Sequence, residues 1–225
     1  MKLLKALAAF AVATALSACA SGDIPSRDAP LELIQPSVAF TEADNGEIRL
    51  RNVGRSYSVE RVVVDVPRSL KVSEANKYYP RGDIVWREDP VGDRYSQVKA
   101  IFDEAMARGT TGAEGQIPVN LGVRVMRFHA LTEKTRYTIG GIHSIRFELS
   151  VFHAETGLLL EQPRVIQADL IGFGGQRAIN AIAVGQTQKV RITDHLTNVI
   201  RTELNSPEGY VSQRLGVGQL INNTL

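Results

Sequence analysis

Two segments constrain the fold more than anything else in the chain. Across residues 117–131, Val119, Leu121, Val123 and Val125 alternate with Asn120, Gly122, Arg124 and Met126. Across residues 143–153, Ile145, Phe147, Leu149 and Val151 share one parity, and Arg146 and Glu148 take the other. A period of two puts one apolar row and one polar row on opposite faces of a strand. Each segment therefore predicts a long strand buried on one side only. After a turn at 153–157 (HAETG), the chain returns through 158–160 and 164–171, interrupted by Pro163. Three successive strands with short links predict an antiparallel meander.

A sheet with one apolar face needs a cover, and two amphipathic segments supply it. At 95–108, Tyr95, Val98, Ile101, Phe102, Ala105 and Met106 recur at three- and four-residue spacing, while Lys99, Asp103, Glu104 and Arg108 face away. Gly109 reads as the stop of this helix. A second helix is expected at 194–204, with Leu196, Val199, Ile200 and Leu204 on one side and Thr193 or Asp194 as its cap. Upstream, the β-branched run at 59–66 predicts a strand ended by Pro67, and 83–86 a short one. A further short strand is expected at 47–51, after the Asn45-Gly46 turn signal. The expectation is an α+β domain over 38–204: an antiparallel sheet with two amphipathic helices on one face, in the order β-β-α-β-β-β-α. The long connection 67–94 is expected to pack, on the strength of Tyr78-Tyr79-Pro80, and 178–184 to form a short helical turn. The tail 205–225 is expected to be poorly fixed after Pro207.

The first residues carry a different message. Lys2 and Lys5 precede an apolar run over 6–16 broken only by Thr14. Such a run is too short for a hydrocarbon core that takes about 20 helical residues, and it fits a secretory leader. It ends in Leu16-Ser17-Ala18-Cys19, which resembles the lipobox of bacterial lipoproteins. That resemblance implies a signal peptide over 1–18, cleavage between Ala18 and Cys19, and a diacylglyceryl thioether on the Cys19 sulfur. Cys19 is the one cysteine in the chain, so no internal disulfide exists and the residue reads as a graft point. Two or more acyl chains give stable anchoring. Ala20, in place of an Asp, favours the periplasmic face of the outer membrane over the inner membrane. Residues 19–37, with Pro25, Pro30 and Pro36, read as a spacer.

Composition narrows the partners. Lys2 and Lys5 leave with the leader, so 24 basic residues face 24 acidic ones in the mature chain. A balanced chain offers no basic face of the kind nucleic acid requires. The membrane, through the lipid, and an envelope protein are the expected partners.

Chemistry is sparsely signalled. His129, His143, His153 and His195 show no i,i+4 pair and no HExxH, so no metal site is read. No GxSxG elbow or phosphate-loop lysine signature occurs, so no catalytic residue and no cofactor is assigned. At 172–178 (GFGGQRA) a glycine-rich turn precedes the expected helical turn, but Arg177 stands where a dinucleotide fingerprint needs its third glycine. The turn reads as a tight one or as a loop that meets a partner. The link 132–141 (TEKTRYTIGG) reads as a hairpin tip, a contact site or a solvated loop. The candidate contact residues are therefore Tyr137, Gly140, Gly141, Phe173, Gly174 and Gly175. Asp169 is expected to pair across strands with Arg124 or Arg146.

The stretch PVNLGVRVMRFHALTEKTRYTIGGIHSIRFELSVFHAETGLLL, followed by IQADLIGFGG and GQTQKVRITDHL, resembles an uncharacterised lipoprotein family of Gram-negative bacteria. That family has no assigned activity. A looser, architectural similarity is to auxiliary lipoproteins of envelope transport systems, carried by the strand at 62–66, the short strand at 83–87 and the helix at 95–108. Such proteins serve in lipid transport, polysaccharide export or secretion-pore assembly. Three readings follow: a non-catalytic binding or assembly component of the envelope, a lipid-handling or transport-accessory protein, and an anchored hydrolase. The lipid-handling reading predicts an apolar groove between helix and sheet. The hydrolase reading predicts a cleft that gathers a nucleophile or paired carboxylates with histidine.

Overall fold

The computed structural model describes residues 56–212, with the backbone of two short strands before them, β1 (Phe40–Glu42) and β2 (Ile48–Leu50), paired antiparallel. Ala18, Cys19, the spacer and the tail from residue 213 lie outside the described residues. The main sheet comprises β3 (Tyr57–Asp65), β4 (Ile84–Val85), β5 (Ile117–His129), β6 (Gly141–His153), β7 (Arg164–Gln167) and β8 (Leu170–Gly172). The helices are α1 (Arg94–Thr110), α2 (Glu133–Arg136), α3 (Gly175–Ala183) and α4 (Gln188–Asn205).

β5 and β6 form the long central pair, antiparallel from Val119↔His153 to His129↔Ser144. β3 and β4 share the outer side of β5, one along its first half and the other at Phe128 and His129. β7 and β8 divide the outer side of β6 in the same way. The α+β class and the antiparallel meander stand as read. The expected all-antiparallel sheet does not hold at one edge: β3 and β4 run parallel to β5. The cause is α1, a crossover that carries the chain back to the end of the sheet from which β3 started.

One face of the sheet is covered and the other is open. Val119, Leu121, Val123 and Val125 of β5 and Ile145, Phe147, Leu149 and Val151 of β6 are buried beneath Val98, Ile101, Phe102, Ala105 and Met106 of α1 and Ile192, Leu196, Val199 and Ile200 of α4. Aromatic edges knit this layer: Phe102 meets Phe147 at 5.6 Å and Phe128 at 6.1 Å, and Phe128 meets Trp86 at 5.6 Å. These T-shaped contacts add to the area that each ring buries.

Both long helices start or stop elsewhere than the sequence suggests. α1 runs through Gly109 to Thr110. A Cβ at Gly109 would lie 2.1 Å from Ile200 Cγ2 and 2.8 Å from the Thr197 carbonyl, so the glycine lets α4 cross at close range and does not stop the helix. α4 begins at Gln188, capped by Thr187, whose hydroxyl accepts from Val190 N. Thr193 is buried inside that helix, and Asp194 pairs with Arg108 at 2.7 Å. A remote carboxylate strengthens the start of α4: Glu88 accepts from Gln188 N and Lys189 N and pairs with Arg136. An anion there suits the positive end of the helix dipole.

The connection 67–94 is packed, as expected, though by other residues. Ile84, Val85 and Trp86 are fully buried, whereas Tyr79 is 85% exposed. Asp169 does not pair with Arg124 or Arg146. It sits in the break between β7 and β8, where its carboxylate accepts from Ile145 N and from the Gln167 amide. The tail is held as far as Tyr210: its N–H donates to buried Glu203, and Arg164 donates to the carbonyls of Glu208 and Tyr210.

Candidate functional site

At the end of the sheet where β5 stops and β6 begins, three segments converge. β4 pairs with Phe128 and His129 while residues 76–78 before it bond to Thr132, Lys134 and Thr135, α2 and its flanks fill the link between β5 and β6, and β8 delivers the glycine-rich turn. Together they surround a cleft of about 780 Å³. Its walls include Tyr78, Tyr79, Pro80, Leu131, Ile139, Ile142, Ile171 and Phe173, with His129, three threonines and Arg177 as the polar groups. Ile139 is 63% exposed at the rim.

The link 132–141 is no free hairpin tip. Thr132 caps α2 by accepting from Thr135 N, and its hydroxyl donates to the Lys77 carbonyl. Lys134 N donates to Asn76, and the Lys134 ammonium lies 4.6 Å over the Tyr78 ring. One wall of the cleft is thus built by two segments 55 residues apart in sequence.

The opposite wall depends on bare backbone. A Cβ on Gly174 would lie 2.1 Å from Gly140 N, and Gly140 itself has φ +71°. The turns at 138–141 and 172–175 therefore approach as only glycine allows. Phe173 is clamped between the guanidinium carbons of Arg177 at 3.9 Å and Arg191 at 3.4 Å. Arg191 also donates to the Ile171 carbonyl. Of the two readings left open for this turn, its geometry is that of a tight one.

Four of the six candidate contact residues line the cleft: Gly140, Gly141, Phe173 and Gly174. Tyr137 lies outside the wall with Arg136 over its ring at 5.0 Å, and Gly175 opens α3 at φ +51°. Sequence reasoning missed Tyr78, Tyr79, Leu131, Ile139, Ile142 and Ile171 as site residues. Tyr78 and Tyr79 had a signal, an aromatic pair in a long connection. Ile139 lay within the link 132–141 already marked as a contact candidate, whereas Leu131, Ile142 and Ile171 had no signal, since only the pairing of β4, β6 and β8 around them brings them together.

The histidines are dispersed. His129 ends β5, lines the cleft and contacts the Arg127 guanidinium. Burial, helped by Arg127, holds its pKa down at about 4. His143 is fully enclosed, and its Nδ1 accepts from Leu131 N at 3.3 Å. Burial first, then Arg191, Arg136 and His195, lowers its pKa to about 3. His153 closes β6, where its Nδ1 accepts from Thr156 N. His195 lies in α4 against Tyr210, its pKa lowered chiefly by burial. Among the described residues no Asp, Glu, Ser, Cys or Lys lines the cleft. Among the described residues no group of three or more His, Cys, Asp or Glu is placed to hold a metal ion, and no helix is long and apolar enough to cross a membrane.

Residues 57–220 match a family of unknown function, DUF6778. The chain belongs to that family. The expectation of a family without assigned activity is met, and the match spans the whole sheet, all four helices and every wall of the cleft. No curated protein matches the chain. Among solved structures, a "putative lipoprotein" from Caulobacter crescentus CB15 is 12% identical over 67% of this chain and 88% of its own, with a TM-score of 0.31. Protein XCC0632 from Xanthomonas campestris, of family DUF330, is 10% identical over 68% of this chain and 84% of its own, with a TM-score of 0.40.

Proposed function

We propose that this member of the family is a lipoprotein anchored through Cys19 at the periplasmic face of the outer membrane, and that its domain is a non-catalytic binding or assembly component which meets its partner at the cleft. One observation carries the second half of this reading: the cleft has the volume of a binding site, and its described lining holds no Ser, Cys, Lys or carboxylate. Acyl or glycosyl transfer needs an activated nucleophile or paired acids. Here His129 stands beside threonines, and the hydroxyls of Thr132 and Thr135 are already bonded to each other and to backbone carbonyls.

The leader and the lipobox support the anchor.

A photo-crosslinking residue at position 79 or 139 of the anchored protein, in intact envelopes, tests this reading. Discrete adducts from both, and none from exposed position 165 on β7, are expected. Equal labelling from all three positions, or none, contradicts it.

The aliphatic and aromatic wall also favours lipid handling as a second reading. Val98, Phe102, Ile192 and Leu196 close the middle of the helix–sheet interface, and a groove of about 300 Å³ lies at its edge between β3 and α1, where Glu60, Arg61 and Asp103 share the lining with Val62, Val64 and Met106. The more apolar entrance for a lipid is at the sheet's end. Native mass spectrometry of the extracted protein separates the two: a retained lipid lost on Ile142→Trp supports this second reading, and an empty domain opposes it.

A further inference from the structure

The cleft has an aliphatic interior and a cationic rim. Buried Leu131 and half-buried Ile142 and Ile171 line it without charge. The segments that form its walls, residues 75–82, 134–141 and 172–178, carry Lys77, Arg81, Lys134, Arg136 and Arg177 and no Asp or Glu. The mature chain is balanced in charge, so this is a local excess of one sign. The carboxylates next to these segments are already engaged. Glu74 accepts from Arg87 and Arg94, Glu133 accepts from Arg87, and Asp83 accepts from Lys71 N. Arg136 is held by Glu88. Lys77, Arg81 and Lys134 are exposed, and among the described residues none of the three forms an ion pair. Lys134 lies instead over the Tyr78 ring. Lys77 and Arg81 bracket the wall residues Tyr78, Tyr79 and Pro80.

We propose that the partner segment received by the cleft is an acidic one: an apolar side chain enters past Tyr79 and Ile139, and Asp or Glu on both sides of it meets Lys77 and Arg81. This rests on the reading of the cleft as the place where a partner docks. The division of labour follows from solvation. A carboxylate in the aliphatic interior would lose its water without a matching cation, so the acids stay at the rim, and an apolar anchor is what the interior can hold. Rim charges of one sign then select the partner and speed its arrival. Two other anions fit less well. A flat anionic bilayer leaves a concave space of about 780 Å³ unfilled. A single lipid fills it but presents its charge at one end only, whereas a peptide carries acids on both sides of the residue that enters.

Photo-crosslinking from position 79 or 139 of the full-length anchored protein, in intact envelopes, tests the chemistry of the partner. Mass spectrometry of the adduct identifies the linked segment. At least two Asp or Glu, and no Lys or Arg, are expected within about three residues on either side of the linked one, the stretch of extended chain that a screened charge reaches. Lys77→Glu with Arg81→Glu should lower the adduct yield about tenfold, and Lys77→Arg should leave it unchanged. Both side chains are exposed and unpaired, so the reversed variant should keep its urea midpoint. In the protein with its own charges, raising salt from about 0.05 M to about 0.5 M should also lower the yield. A neutral or basic linked segment overturns the proposal. So does an adduct to lipid, an adduct to the chain's own residues 20–55 or 213–225, or a yield that neither charge reversal nor salt changes. Discrete protein adducts that are insensitive to charge leave the cleft reading standing and sink only this one. The absence of adducts from both positions sinks both.

Discussion

The body of the central strand pair and its cleft end are built on opposite principles. Toward the middle of β5 and β6, every inward side chain is closed off by α1 and α4, and packing alone holds the layers. At the end formed by His129 and Gly141, the walls are held by caps, cation–π contacts and glycine-to-glycine approach, and a cleft remains. The first arrangement is what hydrophobic burial produces when left to itself. The second keeps apolar side chains partly uncovered in a position fixed by polar bonds, at a cost that folding alone does not require. Exposed apolar surface held in place in this way points to something that covers it.

Mutations that separate the two regions sharpen the contrast. Phe102→Ala removes the ring that joins Phe128 to Phe147 and is expected to cost about 3–5 kcal/mol, read by urea denaturation. A loss near zero would mean that the layer is loosely packed. Glu88→Gln removes the charge that serves both Arg136 and the first amides of α4, and is expected to cost about 2 kcal/mol. Its signature is regional: hydrogen exchange should speed up at the start of α4 and around α2 while the middle of β5 keeps its protection.

Acid should act on the cleft end first. His129 and His143 both stand there, and both are held neutral in the fold with pKa values of about 4 and about 3. The unfolded chain takes up these protons near the ordinary histidine value of about 6.5. Their contribution is therefore fully present above that pH and is lost as pH falls toward 4 and then 3, with a slope of up to about 1.4 kcal/mol per pH unit for each group. Urea titrations at pH 7.5 and pH 5 measure it, and equal midpoints would contradict it. At the small end of the scale, Ile139→Ala should change stability by no more than about 0.5 kcal/mol, since the side chain is mostly solvated. Adduct formation from position 79 should nevertheless fall, because the rim is altered without the fold.

The packed body was the legible part. Alternation at Val119–Val125 and Ile145–Val151 and the helical spacing of Val98 to Met106 are local signals, and each names its own buried face. The parallel edge was less legible, since strand direction is set by a crossover that no local pattern states. Gly109 shows the limit well: a glycine after a helical run looks like a stop, and only the proximity of Ile200 reveals a crossing point. The cleft was legible in its loops and not in its walls. Gly140, Gly141, Phe173 and Gly174 stood out as turn chemistry, whereas Leu131, Ile142 and Ile171 look like ordinary strand residues until β4 and β8 take their places.

The placement of the whole molecule depends on a single sulfur, and intact-mass analysis of the protein extracted from membranes reads it directly. The account predicts a chain that begins at residue 19 and carries the added mass of a diacylglycerol and an acyl group. A chain that begins elsewhere, or one whose Cys19 thiol is unmodified, would contradict it.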